Sequence, residues 1–200
     1  MTTEQRTTKR GRPGYDKEEL LNICVRTFNE HGYEATSMGA LADELGITKS
    51  AIYHHVDSKE DILAFALNRA LAALEEVFEA AESLEEVPAI ERVEFVTRQT
   101  VFVLVEQLGN VTLLLRLRGN SAVEQEALAR RRALTDRLSV LVQAAQDAGE
   151  MRGDITARTV ARLIFGMINS LSTWYRPERG ENVERLADAV VRMAFEGTQA

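Results

Sequence analysis

Apolar residues recur along this chain at intervals of three and four, the spacing that lines one face of an α-helix, and no segment alternates in strand fashion between hairpin signals. The pattern predicts an all-α fold of about nine helices. Asp16, with Glu19 three residues on, opens the first as a capping box; its stripe is Leu20 or Leu21, Cys24 and Phe28, and Gly32 closes it. Leu41, Ala42 and Leu45 mark a second helix from Met38 to Leu45, with Thr36 or Ser37 as its N-cap and Gly46 as its stop. Thr48 caps a third, Lys49 to about Val56. Asp57 and Ser58, with Glu60 and Asp61, begin a fourth whose periodicity runs without Pro or Gly to Ser83. A helix of that length can join two domains and carry movement between them.

Pro88 starts a fifth helix over Ala89 to Leu108, and Gly109 and Asn110 are expected to break it. Val111 to Arg118 reads as a short, strongly apolar element before the punctuation Gly119, Asn120 and Ser121. Val123 to about Ala148 is a long, Arg-rich helix closed by Gly149. Asp154 or Thr156 begins the eighth, where Val160, Leu163, Ile164, Phe165, Met167, Ile168, Leu171 and Trp174 surround most of the cylinder up to Tyr175. Apolarity on that scale implies burial on two sides, one in the core and one against a partner. Asn182 to about Phe195 supplies a ninth helix with its own stripe.

One stretch carries more than periodicity. In TSMGALADELGITKSAIYHHVDSKEDIL, Thr36 to Leu63, two short helices flank a glycine turn and lead into a capped third start. The second offers only Ala51, Ile52 and Val56 to a core, while Lys49, Ser50, Tyr53, His54 and His55 point polar or aromatic groups elsewhere. A helix buried inside a bundle needs a wider apolar face. The profile is that of a helix-turn-helix whose second helix lies in the DNA major groove. The competing readings are an ordinary αα-hairpin and, for function, a helical protein–protein interaction module that never touches DNA.

Phe28, Gly32 and Tyr33, then Ala42, Gly46 and Ile47, then Tyr53, Val56, Lys59, Glu60 and Leu63 follow in the order seen in one known family. Residues Tyr15 to about Leu67 closely resemble the N-terminal DNA-binding domain of TetR family transcriptional regulators. The resemblance implies a basic arm over residues 1–14, a helix-turn-helix domain over 15–60, and a ligand-binding and dimerisation domain over 61–200. It implies a homodimer on double-stranded operator DNA, with the last two helices pairing with their symmetry mates, and a repressor released by a small-molecule effector. Within the motif it implies that Thr48, Lys49, Ser50, Tyr53 and His54 face the groove, with Ser37, Tyr53 and Lys59 on phosphates.

The charge is compatible with this only when divided by segment. The net charge is −7, yet residues 1–14 hold Arg6, Lys9, Arg10 and Arg12 against Glu4 alone, a local +3. Arg10 and Arg12 are candidates for minor-groove or phosphate contacts, by analogy with homeodomain arms. With 45% apolar and 28% charged residues, the chain has the composition of an ordinary globular protein. It has no apolar run near the ~18–20 residues of a membrane span and no signal-peptide core, so a cytoplasmic location without membrane contact is expected. Cys24 is the single cysteine and reads as a small buried hydrophobe.

Polar residues inside apolar runs are the candidates for effector contacts: Asn110, Arg116, Arg118 and Asn169, with the aromatic Trp174 and Tyr175. Arg116 and Arg118 are two apart, so at most one faces a common site. The segment Trp174, Tyr175, Arg176, Pro177 resembles the WYRP element of a TetR branch that governs lipid and aromatic-acid catabolism, which implies an acyl-CoA effector. An enzyme is not expected, nor a cofactor or a metal. His54 and His55 are adjacent and point about 100° apart, and GxSxG, GxGxxG and P-loop patterns are lacking.

Overall fold

The computed structural model describes residues 15–197, and within them the chain forms nine α-helices, one 3₁₀ turn and no strand. The helices are α1 Lys17–His31, α2 Met38–Leu45, α3 Lys49–Tyr53, α4 Lys59–Ser83, α5 Ala89–Glu106, α6 Leu108–Arg116, α7 Ala122–Asp147, α8 Ala157–Trp174 and α9 Val183–Phe195. The arm, with Arg10 and Arg12, lies outside the described residues.

Side-chain caps set most of the starts. The Asp16 carboxylate accepts from the Glu19 N–H at 2.7 Å, and Ser37, Thr48, Ser58, Ser121, Thr156 and Asn182 cap α2, α3, α4, α7, α8 and α9 in the same way. Each such cap contributes about 1 kcal/mol. At α4 the Asp61 side chain also reaches back past the Ser58 cap, its Oδ2 accepting from the Asp57 N–H at 3.1 Å. Gly46 stops α2 in the left-handed region (φ 64°), and the N–H groups of Gly46 and Ile47 bond the carbonyls of Asp43 and Ala42.

Helices α1–α3 close over the first turns of α4. Leu20, Leu21, Cys24 and Phe28 meet Leu41, Leu45, Ile52, Ile62 and Leu63 in one fully buried cluster, with Tyr33 edge-on to Phe28 at 5.0 Å between ring centroids. Burial pushes the Cys24 thiol up to about 11. The same helix α4 continues into the second half, packing against α5, α6 and α7; α8 lies on α7 and α9 on α5. Two arginines of α7 fasten it to α4. Arg130 makes a bidentate pair with Glu75 at 2.9 and 2.7 Å and also reaches Asn68, and Arg137 pairs with Glu82 while lying over the Phe78 ring.

Three boundaries differ from the sequence reading. α3 ends at Tyr53, three residues short of Val56, because the N–H groups of His55 and Val56 both turn onto the Ile52 carbonyl and drop Val56 into the core. Gly109 and Asn110 do not break a helix; they lie inside α6, and the break falls at Gln107. Gly109 is there for close approach: a Cβ on it would stand 3.3 Å from Val25 Cγ1 of α1, and its carbonyl accepts from Asn29 Nδ2 at 2.9 Å. α6 stops at Arg116 rather than Arg118, since the N–H groups of Arg118, Gly119 and Asn120 all converge on one oxygen of the buried Glu124 carboxylate.

Candidate nucleic-acid interface and effector cavity

The caps and the Gly46 turn hold α3 against α2 by one buried residue, Ile52, and leave its other side to solvent. Ser37, Thr48, Lys49, Ser50, Tyr53 and His54 are all exposed. Ser37 Oγ and Thr48 Oγ1 accept cap bonds from Ala40 and Ala51, which leaves each hydroxyl proton free to donate outward, toward a phosphate oxygen for instance. The stem of Lys49 lies over Gly39 of α2: a Cβ there would stand 3.0 Å from Lys49 Cε and 3.2 Å from Nζ. Tyr53 is 48% exposed.

Lys59, expected on a phosphate, has two of its three N–H donors engaged within the fold. Its ammonium donates to the carbonyls of Tyr33 at 2.9 Å and Thr36 at 3.1 Å and sits 4.2 Å from the Tyr33 ring centroid. It ties the α1–α2 loop to the start of α4. Tyr33 in turn is pushed up to about 12 by burial and by the nearby carboxylates of Glu60, Glu34 and Glu124.

A cavity of about 320 Å³ lies among the other helices. Leu74 of α4, Leu104 of α5, Val111, Leu114 and Leu115 of α6, Leu134 of α7 and Phe165 of α8 form its apolar walls. Thr100, Arg131, Thr135, Arg162 and Asn169 add polar groups. Arg162 and Gly166 of α8 line the edge of the cavity and are exposed, which marks the way in.

Of the six residues expected at an effector, only Asn169 lines this cavity. Asn110 is buried but turns away, donating to Gln107 Oε1 at 2.8 Å. Arg116 reaches back to α1 and donates to the Asn29 carbonyl at 2.7 Å, and Arg118 is exposed beside the loop held by Glu124; both border the seam between α1 and α6. Trp174 is 48% exposed at the end of α8, and Tyr175 is packed in the core, 3% exposed. Thr100, Arg131, Thr135 and Arg162 are cavity residues that the sequence reading does not include. A usable signal was the seven-residue spacing of Arg162 and Asn169, two helical turns that put both on one side of α8; nothing in the run of three arginines at 130–132 singles out Arg131.

α6 thus has the cavity on one face and α1 on the other. Val111, Leu114 and Leu115 face the cavity, whereas Gly109 and Arg116 are hydrogen-bonded to Asn29 of α1. α4 is likewise shared, with Ile62 and Leu63 in the N-terminal core and Leu74 in the cavity wall.

Known proteins agree with this geometry. The family model for bacterial regulatory proteins, tetR family, matches residues 20–65, and that for the Tetracyclin repressor-like, C-terminal domain matches residues 86–198. Among solved structures the chain is similar to SCO3833 of Streptomyces coelicolor A3, a member of the TetR transcriptional regulator family, with 42% identity, 97% of this chain and 94% of that chain covered, and a TM-score of 0.84. AibR, solved with isovaleryl coenzyme A and operator DNA, shares the fold at 24% identity, covering 90% of this chain and 97% of its own, with a TM-score of 0.76. The fatty acid metabolism regulator protein of Bacillus subtilis is 22% identical over 192 residues, 94% of this chain and 97% of that protein. With its N-terminal helix-turn-helix, its helical second half and both family models matched, the chain belongs to the TetR family of transcriptional regulators.

Proposed function

We propose that the protein is a homodimeric repressor that leaves its operator when a small molecule enters the cavity, and that this effector is an acyl-CoA thioester. The observation that carries the reading is the double role of α6, whose one face lines the cavity and whose other face is bonded to α1 at Asn29. An occupant that displaces Val111, Leu114 or Leu115 therefore biases where α1, and with it α3, stands. Only a ligand that prefers one of the two arrangements shifts the balance, and couplings of this kind are typically about 1–3 kcal/mol.

The cavity volume, about 320 Å³, is at the lower end of the ~300–1,000 Å³ of ligand sites. It suits an acyl group enclosed by the leucines, with the bulk of coenzyme A passing out beside Gly166 and Arg162. The complex of AibR with isovaleryl coenzyme A and the lipid-related role named for the Bacillus relative support this class of effector. On the DNA side, Ser37, Thr48, Lys49, Ser50, Tyr53 and His54 form the contact surface, reinforced by Arg10 and Arg12 of the arm. Lys59 braces that surface from behind.

The test is operator release. DNA from the protein's own upstream region is labelled, and fluorescence anisotropy follows binding while a series of acyl-CoA thioesters, free coenzyme A and free fatty acids are added. Release by thioesters of a given acyl length, with free coenzyme A inactive, is the expected result. Failure of every thioester both to release DNA and to raise the melting temperature would overturn the assignment.

A further inference from the structure

Two polar residues of the cavity wall, Thr100 and Arg131, lack the partners that comparable residues of the same helices have. Thr97 of α5 satisfies its hydroxyl on the Val93 carbonyl at 2.8 Å, and Thr112 of α6 does the same on Leu108 at 2.6 Å. Thr100, one turn beyond Thr97, does not: its Oγ1 is buried and has no hydrogen-bond partner, on a cavity-lining residue that is 3% exposed. Arg131 shows the same contrast on α7. Its neighbours Arg130 and Arg137 each hold a carboxylate with two hydrogen bonds, whereas Arg131, partly buried in the cavity wall, makes one bond to the Leu114 carbonyl at 3.1 Å and no ion pair among the described residues. Burial pushes its pKa down, and no nearby carboxylate opposes the effect.

A buried hydroxyl without a partner and a desolvated guanidinium without an anion are both costly, and both are relieved by the same guest. We infer that the effector's acyl portion carries a carboxylate of its own, which accepts from Thr100 Oγ1 and from the free N–H groups of Arg131 inside the cavity. A plain alkyl chain would fill the leucine-lined space but leave both groups unpaired. Arg131 is bonded to Leu114, near the end of α6, so a carboxylate that draws the guanidinium toward itself also loosens the helix that touches α1. The inference rests on the cavity being the effector site. The carboxylate could belong to a dicarboxylic acyl thioester or to a free acid, and the experiment separates the two.

The full-length protein is titrated calorimetrically with matched pairs of thioesters, from butanoyl-CoA with succinyl-CoA to decanoyl-CoA with sebacoyl-CoA, and with the corresponding free mono- and dicarboxylic acids. The carboxy-terminated member of at least one pair should bind about tenfold or more tightly than its plain partner. Arg131→Met should erase that preference, so that the two members of the pair bind alike, and Thr100→Val, a change of one hydroxyl for one methyl, should narrow it if the first variant fails to fold. Equal affinity within every pair would overturn the inference and leave the thioester reading standing. Tight binding of free diacids with no thioester bound would uphold the carboxylate site and overturn the thioester reading. No binding by any of them would overturn both.

Discussion

At Gly46 the backbone turns left-handed with φ 64°, and three residues later Lys49 stands exposed with its stem across Gly39. The two positions therefore answer to different physics. Gly46→Val forces a branched side chain into a region that costs L-residues about 1–2 kcal/mol, so the melting temperature should fall. Lys49→Ala should leave melting unchanged and weaken DNA binding on specific and random sequence alike, with a shallower salt dependence in an anisotropy titration. Equal melting losses for both would refute the division. These residues were legible from the chain because caps and glycine turns act over three or four positions. Lys59 was not: a lysine at the first turn of a helix reads as a free cation, and the carbonyls that hold it, on Tyr33 and Thr36, are 26 and 23 residues away.

Among the helices, the seam of α4 with α7 carries two bidentate arginine–carboxylate pairs. Hydrogen bonds from Arg130 and Arg137 hold the carboxyls of Glu75 and Glu82 below the ordinary value of 4.5, against a smaller opposing effect of burial. A depressed folded-state value means that the pair stabilises the fold above the unfolded-state pKa and that this contribution is lost as the pH falls through the folded-state value. Melting should therefore drop as the pH is lowered from about 6 to below 4.5, and Glu75→Gln should flatten part of that slope in a calorimetric series. Helix number and most helix starts followed from periodicity. The junction of α5 and α6 did not, because glycine has two uses, ending a helix and letting another approach it. At Gly109 the deciding fact is Val25 of α1, which only the folded chain brings near.

On the scale of the molecule, α8 was expected to have two buried sides, and in the single chain one of them is open. Leu163 is 62% exposed and Trp174 48%, and Met193 of α9 is 49% exposed. With Ala161, Ile164 and Ile168 already in the core, this outer stripe is the surface that a second copy would cover. Leu163→Asp should convert a dimer into a monomer by analytical ultracentrifugation and reduce operator affinity at least about tenfold, since each half-site alone binds weakly. The cavity was the least legible part, because five helices contribute to it and residues such as Thr100 and Arg131 look ordinary on their own elements. Cys24 gives the molecule one more property. As the single thiol of the chain, buried in the core of α1–α4 and held protonated by that burial, it reacts with an alkylating reagent only when those helices part. Its labelling rate is thus a clock for the opening of the DNA-reading half, and comparing that rate with and without effector or operator reports which of them loosens or tightens it.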